Sequence, residues 1–181
     1  MANSLIVGGL KCGMTVSIAC PDAYRPDPAV LDFAQQYPGM LQCTPDILAA
    51  AKDADVLYTD VWASMGQEGE SSQRKLVFEG YQINDAVMAA AHPGAMVQHC
   101  LPPPGEEITA AVFESHADEI FDEAENRLHA QKGRAVSAHE ITEPAVPSTP
   151  RPLRGRGFFS YKNTHKTRRS ELMFFPCFFE S

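Results

Sequence analysis

AMVQHCLPPPG, residues 95–105, is a short apolar run that ends in histidine, cysteine and leucine ahead of three prolines. Each proline holds φ near about −65° and restricts the residue before it, so the extended run stops at this point. The stretch reads as a strand with a stiff turn at its carboxyl end. Successive strand residues face opposite sides, so His99 and Cys100 do not pair as base and nucleophile. A cysteine in such a place is more often a small buried hydrophobe than a functional thiol.

Two other segments share this design. MTVSIAC (14–20) is rich in β-branched residues, and DVLYTD (55–60) is a short apolar run bounded by aspartates; both read as strands. Helical patterns lie between them. DPAVLDFAQQY (27–37) begins with an Asp-Pro cap and first-turn pair, and TPDILAAAKDA (44–54) repeats it with Thr44 as cap and Pro45 at the first position. NDAVMAAAH (84–92) and DEAENRLHAQK (122–132) are further helices, the second acidic early and basic late as the helix dipole favours. EIFD (119–122) reads as a strand. This alternation predicts an α/β fold, a three-layer parallel sheet with helices on both faces of the Rossmann-like kind. Ligands in such sheets bind at the carboxyl ends of strands, where TDVWASMG and QHCLPPPG both fall.

Three sites there have chemical potential. Asp60 supplies an anion at a strand end. Ser64-Met65-Gly66 forms a short loop that offers its backbone to a ligand, or simply a loop beside a packed Trp62. Arg127 presents a planar fork for an oxyanion or phosphate, although an isolated helical arginine is usually a solvated surface residue.

Composition narrows the class. The chain has 181 residues, 44% of them hydrophobic, and no apolar run approaches the roughly 18 residues of a membrane span. The start, MANSLIVGGLKCGM, places its one lysine after the apolar run, which is not the order of a secretory signal. Five cysteines (12, 20, 43, 100 and 177) show no C-x-x-C and no Cys/His ligand spacing. That argues against a disulfide framework or a metal site and for a cytoplasmic location. The net charge is −8, but residues 133–181 carry eight Lys/Arg against four Glu, leaving −12 on the first 132 residues. Beyond Gly133 the proline-rich GRAVSAHEITEPAVPSTPRPLRGRG has no sustained apolar period. We therefore expect a folded domain over 1–132 and a basic, disordered extension over 133–181. The extension interleaves aromatics with Arg and Lys, a mixture suited to RNA or an anionic surface, but it has no recognisable RNA motif, so nucleic acid is not the expected partner.

Taken in order, DVWASMGQE, HCLP and FDEAENRLHAQK resemble the C-terminal, amino-acid-binding half of the ornithine carbamoyltransferases. The Ser-Met-Gly loop is the ornithine-type version, and aspartate carbamoyltransferases carry proline where Cys100 stands. ANSLIVGGLKCGMTVSIACPDAYRPDP is similar to the helix and strand that open that half. The resemblance covers residues 1 to about 132. It implies transfer of a carbamoyl group from carbamoyl phosphate to the δ-amine of L-ornithine, giving citrulline and phosphate in arginine metabolism, without metal or organic cofactor. By the same resemblance, Asp60 holds the δ-amino end of ornithine, and Ser64 and Met65 close over its α-amino and carboxylate groups. Cys100 stands at the reaction centre, the Leu101 carbonyl receives the carbamoyl NH2, and Arg127 polarises the carbamoyl oxygen.

The family pattern also has parts that these residues do not show. The phosphate-holding Ser-Thr-Arg-Thr loop and His-Pro motif belong to an N-terminal domain, and a Gly-Asp-Gly-Asn-Asn turn with its preceding central strand lies upstream of MANS. After HAQK, family members continue into an apolar helix, where this chain has Gly133 and a proline-rich run. The expectation is a sheet incomplete at its N-terminal side, marginal and prone to associate, with no carbamoyl transfer by the chain alone. Family members form trimers, which suggests a homo-oligomer, but that contact comes largely from the other domain.

Overall fold

The computed structural model describes residues 1–62, 74–101, 106–140 and 171–174. Helix α1 (Ala2–Lys11) buries Ala2, Ile6 and Leu10, a four-residue spacing that keeps one face inward. It ends in a Schellman turn. Gly13 takes φ +78°, its N–H donates to the Leu10 carbonyl at 3.0 Å, and the Met14 N–H donates to the Gly9 carbonyl at 2.9 Å. The chain is thereby turned into strand β1 (Thr15–Ala19).

Caps set the next boundaries. Helix α2 (Pro28–Ala34) starts as the sequence predicts: the Asp27 carboxylate accepts the Ala29 N–H at 2.7 Å, with Pro28 in the first turn. Strand β2 (Leu41–Thr44) was not legible as a strand and takes up Thr44, the residue predicted to cap the next helix. Helix α3 (Ile47–Ala51) starts later instead, with Asp46 accepting the N–H groups of Leu48 and Ala49, each at 3.0 Å. The physical reason is competition: Thr44 pairs with Ala19, and its carbonyl accepts the Cys20 N–H.

Strand β3 (Val56–Thr59), helix α4 (Asp85–Ala90, capped by Asn84) and strand β4 (Met96–His99) follow the expected order. Helices α5 (Ala110–Ser115) and α6 (Ala117–Glu140) come next. EIFD lies inside α6, which corrects the predicted strand at 119–122. A four-residue apolar run does not distinguish strand from helix, and the acids Asp118 and Glu119 favour a first helical turn. Gly133 does not stop α6 either: a glycine costs a helix only about 1 kcal/mol, and no proline occurs between it and Glu140. The boundary expected at 132 therefore falls within a helix.

Strand β5 (Glu171–Phe174) completes a parallel sheet in the order β2-β1-β5-β3-β4. It pairs with β1 (Val16 opposite Leu172, Ile18 opposite Phe174) and with β3 (Val56 opposite Leu172, Tyr58 opposite Phe174). The fold is thus the expected α/β type, with one difference. A central position in the sheet is held by four residues from the stretch whose average composition reads as disordered. Composition averaged over 49 residues hides a short apolar run such as ELMF.

Side chains sort to two faces. Ala19, Leu57, Val97, Ile83, Val87, Ile108 and Ile120 form one core with α3 and α4, while Val16, Ile18 and Tyr58 form another with α1 and α2. That is the three-layer arrangement. Residues Met1–Glu125 with Arg169–Ser181 make one unit, and Asn126–Arg168 make a second. Among the described residues, no helix is long and apolar enough to cross a membrane.

Candidate functional site

Strands β3 and β4 are parallel neighbours with Thr59 opposite His99, so the residues that follow them, Asp60 and Cys100, emerge side by side. Asp60 is 8% exposed. One of its oxygens accepts the Val61 N–H at 2.9 Å and the Cys100 thiol in a short contact. Among the described residues no basic side chain forms an ion pair with Asp60. A carboxylate held this way, with a thiol and an amide as partners, is a poor neighbour for anions and a good one for an ammonium group.

The thiol is not a nucleophile in waiting. Burial pushes the Cys100 pKa up to about 12, helped by its hydrogen bond to Asp60 and by the charges of Asp60 and Glu123. At neutral pH only about one such thiol in 10⁵ is ionised. Cys100 therefore serves as a proton donor to Asp60.

Below the pair lies Tyr58, whose hydroxyl is raised by burial and by Glu123, Cys100 and Asp60. Glu123 is itself raised, chiefly by burial and further by Asp60, with the Tyr58 hydroxyl and the His99 N–H acting against that. Sequence reasoning did not single out Glu123. Its role becomes visible only with α6 placed beside β4: the Val97 N–H donates to Glu119 at 3.0 Å and the His99 N–H to Glu123 at 3.1 Å. Two strand residues advance about 6.6 Å and four helical residues about 6 Å, so carboxylates spaced i, i+4 match alternate strand amides. These two acids cover the outer side of the edge strand β4.

His99 faces away from Cys100, as strand alternation requires. Its ring is fully buried; Nε2 lies 3.0 Å from Glu107, itself 2% exposed, and the ring meets Phe113 edge-on at 6.1 Å. The Leu101 N–H donates to Nδ1 at 3.0 Å, which fixes the ring proton on Nε2. Leu101 takes φ +49°, a left-handed conformation rare for leucine, and the imidazole bond is what holds it there. His99 was read from sequence as a strand residue without a part in the chemistry; it orients the backbone at Leu101.

Of the sequence-predicted site residues, the structure brings together Asp60, Cys100 and Leu101. Ser64 and Met65 lie outside the described residues. Arg127 belongs to the second unit, where it is an exposed residue of α6 and not, as predicted, the exit of a strand. A cavity of about 430 Å³ opens beside Trp62, lined also by Lys75, Glu79, Gln82, Asn84 and Glu106; none of the candidate residues lines it. Trp62 is buried and stacks on Phe78 at 6.0 Å.

Comparison with known proteins gives a consistent picture. Residues 1–136 match the family described as Aspartate/ornithine carbamoyltransferase, Asp/Orn binding domain. The chain is 48% identical over 137 residues to an ornithine carbamoyltransferase of Symbiobacterium thermophilum, covering 73% of this chain and 44% of that protein. The anabolic ornithine carbamoyltransferase structure from Campylobacter jejuni superposes with a TM-score of 0.71 at 36% identity, over 78% of this chain and 48% of that one. The Pyrococcus furiosus ornithine carbamoyltransferase gives 0.66 at 44% identity, over 73% and 44%. The chain thus spans about half the length of the relatives it matches.

Proposed function

The chain belongs to the aspartate/ornithine carbamoyltransferase family through its amino-acid-binding domain, and on that premise we propose that it forms the ornithine side of a carbamoyl-transfer site. The observation that carries this reading is the buried Asp60 carboxylate, partnered by the Cys100 thiol and the Val61 amide and by no basic side chain among the described residues. Asp60 holds the δ-amine of L-ornithine. The amine is protonated at pH 7 and must lose that proton before its lone pair attacks the carbamoyl carbonyl. As the new C–N bond forms, charge gathers on the carbonyl oxygen, where Arg127 serves as the stabilising cation. The C–O bond to phosphate then breaks and phosphate leaves with the bond pair; of the two protons shed by the attacking nitrogen, the first passes to solvent and the second to the departing phosphate. The Leu101 carbonyl accepts from the carbamoyl NH2, and Ser64 and Met65 close over the amino-acid end. Cys100 stays protonated throughout, consistent with direct transfer and no covalent enzyme intermediate. The products are citrulline and phosphate, a step of arginine biosynthesis in the cytoplasm.

These 181 residues hold no Ser-Thr-Arg-Thr run, the family's phosphate-holding motif. The second part of the proposal is therefore that the chain by itself binds the amino acid without turning it over, as an amino-acid-binding fragment or subunit. Titration calorimetry with L-ornithine tests the first part: binding is expected, and Asp60→Asn is expected to weaken it more than tenfold. Equal affinity in the variant would remove Asp60 from the site. A citrulline assay with carbamoyl phosphate tests the second part, and turnover in the ordinary range of about 1–10³ per second would overturn it.

A further inference from the structure

Strands β1 and β3 are not hydrogen-bonded to each other. Each pairs on its inner side with β5 alone, so without Glu171–Phe174 the sheet would divide into the pairs β2-β1 and β3-β4. With β5 in place these inner sides are covered: Val16, Ile18 and Leu57 are fully buried and Tyr58 nearly so. Backbone amides and carbonyls inside a sheet require partners, and on these inner sides β5 supplies them. The slot also has a defined direction and register, parallel on both sides, with Leu172 opposite Val16 and Val56 together.

The occupant arrives from far along the chain. Thirty residues, 141–170, separate the end of α6 from β5. A connection of that many residues reaches up to about 100 Å when extended, so chain length alone does not select where the strand pairs. The strand it delivers is short, apolar in three of its four residues, and preceded by the basic run KTRRS. This is the mode of recognition in which main-chain hydrogen bonds supply affinity and alternating side chains supply register.

We propose that the gap between β1 and β3 is a binding site for a short parallel strand, which this chain fills with its own Glu171–Phe174 and which a free peptide of the same sequence can fill instead. The covalent connection keeps the segment at an effective concentration on the order of millimolar, so a free peptide competes poorly until the attached copy is disabled. Disabling it needs one substitution. A proline in a strand paired on both sides removes a ladder hydrogen bond and is not accommodated.

The test uses the full 181-residue chain carrying Met173→Pro, followed by thermal unfolding in circular dichroism. The midpoint is expected to fall by about 10 °C. A peptide of residues 165–175, HKTRRSELMFF, is expected to restore it, and the same peptide carrying M173P is not. Where the variant does not fold, the same peptide present during refolding is expected to recover native ellipticity. In the unaltered chain, amide exchange at Leu172–Phe174 is expected to be as slow as at Val16–Ile18. An unchanged midpoint in the variant, fast exchange at 172–174, failure of the wild-type peptide to rescue, or equal rescue by both peptides would each overturn the proposal.

Discussion

Replacing His99 by leucine tests how the turn after β4 is held. The imidazole is fully buried and makes two bonds of 3.0 Å, one to Glu107 through Nε2 and one from the Leu101 N–H to Nδ1. Leucine has a comparable apolar body but neither nitrogen. The loss has two parts. A hydrogen bond to a group as buried as Glu107 contributes about 1.5–3 kcal/mol, and the Leu101 amide, held in a left-handed turn, forfeits its acceptor for about 1 kcal/mol more. The sum is about 2.5–4 kcal/mol, a large share of the roughly 5–15 kcal/mol that an ordinary domain has.

Urea unfolding followed by Trp62 fluorescence reads this directly, because Trp62 is buried against Phe78. The midpoint of His99→Leu is expected to fall with little change in the urea dependence, since the surface exposed on unfolding is nearly the same. Glu107→Gln, which keeps an acceptor oxygen beside Nε2, should cost less than half as much. In the double variant the two losses should not add, because both act on one contact. A His99→Leu loss below about 1 kcal/mol would refute the claim that the imidazole holds the turn. Full additivity in the double variant would refute the direct link between the two side chains.

Two further predictions concern titration. Glu123 has its folded pKa raised above the ordinary 4.5, mainly by burial, so the folded state binds the extra proton in the window above that value. Stability should therefore fall as pH rises from 4.5 through the raised value, and Glu123→Gln should flatten that slope in urea titrations at several pH values; an unchanged slope would sink the assignment. For Cys100, alkylation mapped by peptide mass spectrometry should be far slower at pH 7 than at the exposed Cys12, and Asp60→Asn should speed it by removing the carboxylate that raises the thiol. Equal rates at Cys12 and Cys100 would contradict the buried, protonated thiol.

The polarity of the site follows from how few elements make it. Asp60 and Cys100 need only two adjacent parallel strands in register, and the acid whose charge reaches them, Glu123, comes from one helix beside the sheet. On the proposed reading an amine fits this setting, because no basic side chain among the described residues pairs with Asp60. Placing the thiol against the carboxylate also keeps one acidic oxygen occupied until a ligand arrives.

Local signals were enough for much of this protein. The alternation of apolar runs with capped helical patterns specified a parallel α/β sheet, Asp27-Pro28 marked the start of α2, and two-residue alternation put Asp60 and Cys100 at neighbouring strand ends, while the roles expected of Cys100 and Leu101 came from the family resemblance. Each of those features is written in neighbouring residues, through φ restriction, capping or two-residue periodicity. What lay beyond the sequence depended on partners distant along the chain. Glu107 and Glu123 acquire meaning from His99 and from the edge of β4, and EIFD becomes helical because Ile120 turns into the core beside α4. Thr44 is drawn into β2 by its pairing with Ala19, not by its capping propensity. The largest difference is β5. Four residues cannot advertise a central strand by composition or period; only the slot between β1 and β3, with backbone groups buried on both sides, selects them.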